Sequence, residues 1–422
     1  MLDFRFIRDN LDAVKQNIKN RFMDVDADIV VELYEKRNAL IARAEELRAR
    51  RNEISSRMKG KMEQSERQVL VDEVRSLKEE LAGIEKELEE TEVRLFAEAS
   101  RIPNMSHPDA PVGKEDKDNL EIRRVGEIPS FPFEVRDHLE LGEMLDIIDF
   151  EHGSKVSGPK FYYLKNEGVI LEMALVRYAM DFLAKKGFTL MATPDIAKAS
   201  VVEGIGFLPR GAESNIYAIE DTDTCLVGTA EITLGGFYQG DILSQEILPV
   251  KFAGVSHCFR KEAGAAGQYT RGLYRVHQFT KVEMFVYCKP EDSENMHNEL
   301  LALEEELYKS LEIPYRVVDT CTGDLGAPAY RKFDLEAWMP GRGDFGEITS
   351  TSNCTDYQAR RLKVRYKSQQ GNTFVHMLNG TALAVPRVII SILENFQQED
   401  GSVIIPSSLV PYTGFDRIFP KK

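Results

Sequence analysis

An α+β fold is what the sequence predicts: a long antiparallel helical hairpin followed by a body built on a mainly antiparallel sheet. Three observations predict it. Heptad-spaced apolar residues run from about 28 to 100; a Pro- and Asp-rich break follows; and many short apolar runs bounded by Gly and Pro come after it, without the regular strand–helix alternation of a doubly wound or barrel chain. The 422 residues, 43% hydrophobic, suffice for two or three domains with sizeable cores. The expected division is an N-terminal domain at 1–104, a linker at 105–130 and a body at 131–422.

Within the hairpin, Leu33, Leu40, Leu47 and Ile54 recur every seven residues, with Ala44 and Met58 in the complementary slots. Leu70, Val74, Leu77, Leu81, Ile84, Leu88 and Leu95 then alternate steps of four and three, with Thr91 in the one polar slot, which is the seam of a coiled coil. Gly60, among polar residues, is the natural reversal, so two helices of roughly 45 to 50 Å fold back on each other at 1.5 Å per residue. Arg43, Arg48, Arg50, Arg51, Arg57, Lys59 and Lys61 outnumber Glu45, Glu46 and Glu53 near the tip, whereas the second helix is rich in Glu. This flank reads either as a solvated coiled-coil face or as a clamp for a phosphate backbone.

The whole chain carries 54 Lys plus Arg against 69 Asp plus Glu, a formal net charge of −15, which disfavours general attraction to nucleic acid or membrane surfaces but permits a local basic patch. Cys225, Cys258, Cys288, Cys321 and Cys354 are widely spaced with no C-x-x-C pair, as in a reducing compartment. No stretch approaches the roughly 18 uncharged apolar residues of a membrane span, and the first ten residues have no signal-peptide core; a cytoplasmic protein without a membrane partner is expected.

The linker is expected from Pro103 and the Pro- and Asp-rich run after His107. In the body, Val169 to Lys186 reads as a helix; Phe252 to Phe259, Val276 to Tyr287 and Tyr315 to Val318 read as strands. Gly341-Arg-Gly343-Asp-Phe-Gly346 matches G-x-G-x-x-G, but a probable strand rather than a helix follows, so the phosphate-binding geometry is missing. Phe259-Arg260-Lys261-Glu262 and Leu273 to Glu283 read as two strands joined by a Gly- and Ala-rich loop. A period of two then puts Arg260 with Glu262, and Arg275, His277, Phe279, Lys281 and Glu283 together, on one face.

Three clusters complete this surface. Gly228-Thr229-Ala230-Glu231 is a short polar insertion. Glu347-Ile348-Thr349-Ser350 sets an acid near hydroxyls, a plausible metal and phosphate edge. Leu378-Asn379-Gly380-Thr381, continuing to Pro386-Arg387, reads as strand end, turn and apolar helix.

Together these features resemble the bacterial-type seryl-tRNA synthetases, a class II aminoacyl-tRNA synthetase family, over essentially the whole chain. Residues 28–100 resemble the family's tRNA-binding arm, Glu172 to Pro194 its motif 1, Phe259 to Glu283 its motif 2, Asn379 to Gln397 its motif 3, and Thr229-Ala230-Glu231 its serine-binding loop. The resemblance implies a serine–tRNA ligase, dimeric through motif 1, that forms seryl-adenylate from serine and ATP and passes the seryl group to tRNA(Ser); whether tRNA(Sec) is also charged stays open.

For ATP the resemblance implies Arg260, Lys261, Glu262, Val276, Phe279, Glu347, Ile348, Thr349, Ser350 and Arg387. Arg260, Glu347 and Arg387 are the catalytic members, while Glu347 and Ser350 hold the Mg²⁺ that accompanies ATP. For serine it implies Thr229, Ala230, Glu231, Glu283, Asn379 and Thr381, and for tRNA the seven basic arm residues above. No zinc-ligand set is apparent, so zinc is not expected. Gly228 stands where the family often has Pro, Thr381 where Ser is usual, and Ala382 and Pro386 where glycines are usual, which bears on the turn geometry around Arg387. The alternatives are a catalytically retired relative that binds RNA or protein through the arm, and a coiled-coil protein with a nucleotide-binding head.

Overall fold

A computed structural model describes residues 1–60, 62–209, 214–262, 270–369 and 371–421. They form two compact units, Met1–Pro103 and Asn104–Lys422.

The first unit opens with two short helices without a heptad signal, α1 (Phe4–Asp9) and α2 (Leu11–Asn20), which pack against the base of α3 (Ala27–Arg57). The Asp3 carboxylate caps α1 by accepting from the amides of Arg5 and Phe6, and Asp26 caps α3 through Asp28. The hairpin is completed by α4 (Gln64–Arg101). Leu33, Ala44, Leu47 and Ile54 of α3 and Leu70, Leu81, Thr91 and Leu95 of α4 are buried along the heptad seam. Ion pairs cross it at Lys36–Glu87 (2.7 Å), Arg43–Glu80 (2.7 Å) and Arg50–Glu73 (3.0 Å). Each step of seven up α3 is matched by a step of seven down α4, the signature of an antiparallel pair in heptad register.

In the second unit an eight-stranded sheet is built from β1 (Leu120–Val125), β2 (Thr189–Ala192), β3 (Val250–Phe259), β4 (Gln278–Cys288), β5 (Tyr315–Asp319), β6 (Arg331–Met339), β7 (Asp344–Asn353) and β8 (His376–Ala384). Their order is β1-β5-β6-β7-β8-β4-β3-β2, antiparallel except at the edge, where β2 runs parallel to β3. Four helices position the site: α5 (His138–Met144), α6 (Glu167–Lys185), α7 (Ser293–Ser310) and α8 (Val385–Asn395).

Period-two alternation on β4 shows how the sheet divides its labour. Val282, Met284 and Val286 pack into a core with Leu171 and Leu175 of α6, Leu300 and Leu307 of α7, and Val388 and Ile392 of α8. Phe285 and Tyr287 point the other way, into a second core with Ile205, Val227, Ile232 and Met377. The face that holds Phe285 also carries Phe279, Lys281 and Glu283.

Residues 105–130 are not a linker. The His107 amide donates to the Tyr330 carbonyl (2.8 Å), the Thr322 amide donates to the Pro111 carbonyl (2.8 Å), and Leu120–Val125 pairs with β5 as the edge strand β1. Charge-rich composition hides this strand because an exposed edge needs only backbone pairing, not an apolar face. Asn379-Gly380 is likewise not a turn: β8 runs through it to Ala384 and passes directly into α8. Gly380 is there for clearance, since a Cβ would lie 2.9 Å from Oε1 of Glu304, a buried carboxyl on α7.

Candidate active site

A cleft opens on the face of the sheet opposite α7 and α8's core. Its floor follows from the alternation of β4, which contributes Phe279, Lys281 and Glu283. Strand β8 adds Asn379 and Thr381, two residues apart on the same face, with Thr381 directly opposite Glu283. Strand β7 adds Glu347 and Ser350, whose spacing of three would put them on opposite faces of a regular strand. A β-bulge resolves this. Leu335 pairs with Thr349 and Glu336 with Glu347, so Ile348 is the extra residue and Glu347 and Ser350 share a face.

One end of the cleft is a hydrogen-bonded acidic pocket. Lys281 pairs with Glu283 almost out of solvent, with side chains 7% and 2% exposed, and its ammonium donates to Thr381 Oγ1 at 3.4 Å. Thr229 and Thr381 hydroxyls each donate to Glu283 Oε2 at 3.4 Å. Glu231 Oε1 accepts from Gln358 Nε2 (2.8 Å) and Asn379 Nδ2 (3.0 Å). Burial, and then the nearby Glu283, push the Glu231 carboxyl up to about 7. Two carboxylates, two hydroxyls and an amide suit a small zwitterion bearing an ammonium and a polar side chain.

Toward the other end the charge turns positive. Arg260 Nε donates to the Gly228 carbonyl at 3.1 Å, and its guanidinium lies 5.3 Å from the Phe279 ring centroid. Arg387, in the first turn of α8, donates from Nη1 to the Glu347 carbonyl (2.8 Å) and from Nε to the Tyr274 carbonyl (3.3 Å). Its Nη1 also lies 3.4 Å from Glu347 Oε1. Burial raises the Glu347 carboxyl, but Arg387, Lys332 and Arg260 more than reverse this and hold it below the ordinary value, while its side chain stays 45% open to the cleft. Guanidinium groups at a cleft with a planar aromatic floor fit a polyphosphate joined to a base.

The structure brings Thr229, Glu231, Arg260, Glu262, Val276, Phe279, Glu283, Glu347, Ile348, Thr349, Ser350, Asn379, Thr381 and Arg387 to this one cleft. Three expected members stand outside it. Ala230 is fully buried behind the wall, with its carbonyl accepting from Thr233 Oγ1 at 3.1 Å. Lys261 turns away, its ammonium 5.8 Å from the Tyr217 ring centroid. His277 leaves the row because β4 begins only at Gln278, and its Nδ1 sits 2.8 Å from the Arg260 carbonyl.

Arg260 and Glu262 also lie beyond the end of β3, and Glu262 has φ +51°. Strand period therefore does not align them; Arg275 does, donating to Glu262 Oε2 at 3.0 Å. The loop expected between the strands falls largely on residues 263–269, outside the described residues. Tyr274 and Pro386 line the cleft without any signal in the sequence, and Lys281, visible as one charge in a row, is the ion-pair partner of the pocket's central acid.

On the arm, Arg43, Arg48 and Arg50 are engaged with Glu80, Glu85 and Glu73 across the hairpin. Among the described residues no ion pair holds Arg51, Arg57 or Lys59, and Lys61 lies outside them. The basic side is thus narrower than the composition of residues 43–61 suggests.

Comparison with known proteins follows the same division. Residues 1–106 match the family description "Seryl-tRNA synthetase N-terminal domain", and residues 217–396 match "tRNA synthetase class II core domain (G, H, P, S and T)". A serine–tRNA ligase of Treponema denticola is 61% identical over 99% of this chain and 100% of its own length. The seryl-tRNA synthetase of Pyrococcus horikoshii, solved with ATP, superposes with a TM-score of 0.92 at 40% identity, covering 100% of each chain. The cytoplasmic enzyme of Naegleria fowleri, solved with AMP, gives 0.89 at 34% identity over 100% of this chain and 99% of that one.

Proposed function

The chain belongs to the seryl-tRNA synthetase family of class II, and from that premise we propose how its side chains divide the work of a serine–tRNA ligase. The reaction is ATP-dependent and has two steps. The serine carboxylate attacks the α-phosphorus of ATP and displaces pyrophosphate; a hydroxyl at the 3′ end of tRNA then attacks the seryl carbonyl and displaces AMP.

In our assignment Glu231 and Glu283 take the serine ammonium, while Thr229, Asn379 and Thr381 meet its polar atoms. Alanine would leave those buried groups unpaired and be rejected. Glu262, Val276 and Phe279 hold adenine, Arg260 bridges the serine carboxylate and the α-phosphate, and Arg387 holds the γ-phosphate. Ile348 and Thr349 complete the edge between Glu347 and Ser350. No covalent nucleophile is needed, because positioning and charge neutralisation suffice.

Glu347 and Ser350 fit a divalent cation, since the bulge at Ile348 turns both oxygens to one face and Glu347 is held ionised. Bound with ATP, Mg²⁺ would supply neutralisation of the triphosphate oxygens.

One observation carries the assignment. The Arg260 guanidinium is anchored at once to the loop of Thr229, through the Gly228 carbonyl, and to the nucleotide row, over Phe279. That is the place for a group that must touch both reactants. Serine-dependent exchange of labelled pyrophosphate into ATP tests it; no exchange at millimolar serine would overturn the reading.

The arm is the proposed tRNA site, with tRNA(Ser) as partner; nothing about its charges singles out tRNA(Sec). Arg51, Arg57 and Lys59 offer cations directly, and Arg43, Arg48 and Arg50 do so by exchanging a glutamate for a phosphate at a cost of about 0–1 kcal/mol per exposed pair. A homodimer is proposed from the apolar surface of α6 and the β2 edge, where Met173 is 67% exposed and Ile170 and Leu190 each 42%. Light scattering that shows only monomer would refute it. Among the described residues no helix is long and apolar enough to cross a membrane, and a cytosolic setting is proposed.

A further inference from the structure

Arg387 does not orient itself. Its guanidinium donates to the Tyr274 carbonyl at 3.3 Å and lies 4.6 Å from the Tyr274 ring centroid, while the Tyr274 hydroxyl reaches the Glu347 carbonyl at 3.4 Å. Tyr274 thus defines two sides of the arginine's seat. It belongs to a single turn, Gly272–Tyr274, that brings the chain back toward β4. What holds that turn decides where Arg387 points.

The hold is His138, at the start of α5, whose side chain is 0% exposed. Its Nε2 accepts from the Leu273 amide at 3.2 Å, and its Nδ1 lies 2.8 Å from Glu394 Oε1. A backbone amide can only donate, so Nε2 must be the bare nitrogen and Nδ1 carries the proton that Glu394 accepts. The ring is neutral, in one tautomer.

Glu394 is itself fixed, since it also accepts from the His138 amide (3.0 Å) and the Gly341 amide (2.9 Å), and its side chain is 1% exposed. Gly272 adopts φ +56°, and a Cβ there would come within 2.1 Å of Nε2, so the turn is pressed against the imidazole. Arg271, just before the turn, is tied to Asp137, just before His138, at 2.5 Å.

These contacts close a ring: α8 through Glu394 to His138, through Leu273 to Tyr274, and through Arg387 back to α8. Glu394 and Arg387 are seven residues, about two helical turns, apart on one face of that helix. A buried His–Glu pair that merely stabilised the fold would not need to return to the residue it started beside.

We propose that His138 is a positioning residue for the nucleotide: held by Glu394 as a neutral Nδ1–H imidazole, it grips the Leu273 amide and so sets Tyr274 against Arg387. The inference rests on the assignment of Arg387 to ATP.

Two amide variants separate the two bonds, because an Asn amide reaches about as far as Nδ1 and a Gln amide about as far as Nε2. His138→Asn keeps a donor for Glu394 and loses the acceptor for Leu273; His138→Gln keeps that acceptor. The KM for ATP in pyrophosphate exchange should rise roughly three- to tenfold in His138→Asn, as expected for one lost hydrogen bond. The KM for serine should hold, and His138→Gln should recover most of the loss.

Equal KM values for ATP in the two variants, or parallel rises for ATP and serine, would overturn the proposal. Arg387→Ala is the control. If it leaves the KM for ATP unchanged, the assignment of Arg387 fails; if it raises that KM and His138→Asn does not, only the role of His138 fails. Should His138→Asn not fold, Glu394→Gln, which cannot satisfy all three donors, must raise the KM for ATP selectively, and an unchanged value would refute the idea.

Discussion

The helical arm and the cleft are both rich in Arg–Glu and Lys–Glu pairs, yet they use them in opposite ways. On the arm the partners stay in water. Lys36 and Glu87 are 51% and 49% exposed, Arg43 and Glu80 46% and 45%. Such pairs contribute little and exchange readily, which suits a surface that must release one anion to take another. In the cleft, Lys281 and Glu283 are 7% and 2% exposed and share hydrogen bonds with Thr229 and Thr381. Removing one partner there leaves a desolvated charge. The same residue types therefore address a passing polyanion in one region and fix reacting groups in the other.

The sharpest way to break this comparison is to remove one side of it. Deleting the hairpin from about Asp28 to Ser100 should abolish charging of tRNA while serine-dependent pyrophosphate exchange stays within about twofold; equal loss of both would make the arm structural. Next in size is Arg260→Ala, which should slow adenylate formation by about 10²- to 10³-fold, the usual loss when an oxyanion contact is removed, with thermal unfolding little changed. Near-normal exchange would show that the arginine does not bridge the two reactants.

A smaller effect follows from Glu231, whose carboxyl is raised to about 7. It must be ionised to hold an ammonium, so kcat/KM for serine should rise by up to about tenfold per pH unit below 7 and level off above it, a dependence that Glu231→Gln abolishes. The stability sign is opposite. A carboxyl raised in the folded state favours the folded, protonated form at low pH, and that contribution is lost as pH rises from the ordinary carboxylate range through about 7.

On the arm, replacing Arg51, Arg57 and Lys59 together with Ala should weaken tRNA binding several-fold and flatten its dependence on salt by about two to three units of log–log slope. An unchanged slope would remove these residues from the contact. Least of all, Arg43→Ala should shift stability by under about 1 kcal/mol in denaturant titration, as for exposed pairs generally.

How much of this was legible follows the same contrast. The heptads of Leu33 to Leu95 dictate the hairpin because burial there repeats with one period and nothing interrupts it. The cleft's residue types were legible as motif clusters, but their geometry depends on irregularities that leave no periodic trace. A bulge at Ile348 aligns Glu347 with Ser350, β3 stops at Phe259 before Arg260, and β8 continues through Asn379-Gly380 where an Asn-Gly pair usually signals a turn. His138 and Tyr274 were illegible for another reason: their roles rest on contacts with residues more than a hundred positions away in sequence, with Leu273 and Arg387 respectively.

The unbroken passage from β8 into α8 has a consequence for how this chain can vary. Asn379 and Thr381 at one end and Arg387 at the other are registered by eight consecutive peptide links, with no loop between them to absorb a change in length. A single residue inserted after Ala384 would leave the strand untouched and swing every later side chain of the helix through about 100°. The arginine would point into the core while the pocket opposite Glu283 stayed whole. Related sequences should therefore tolerate insertions almost anywhere on this surface before they tolerate one here.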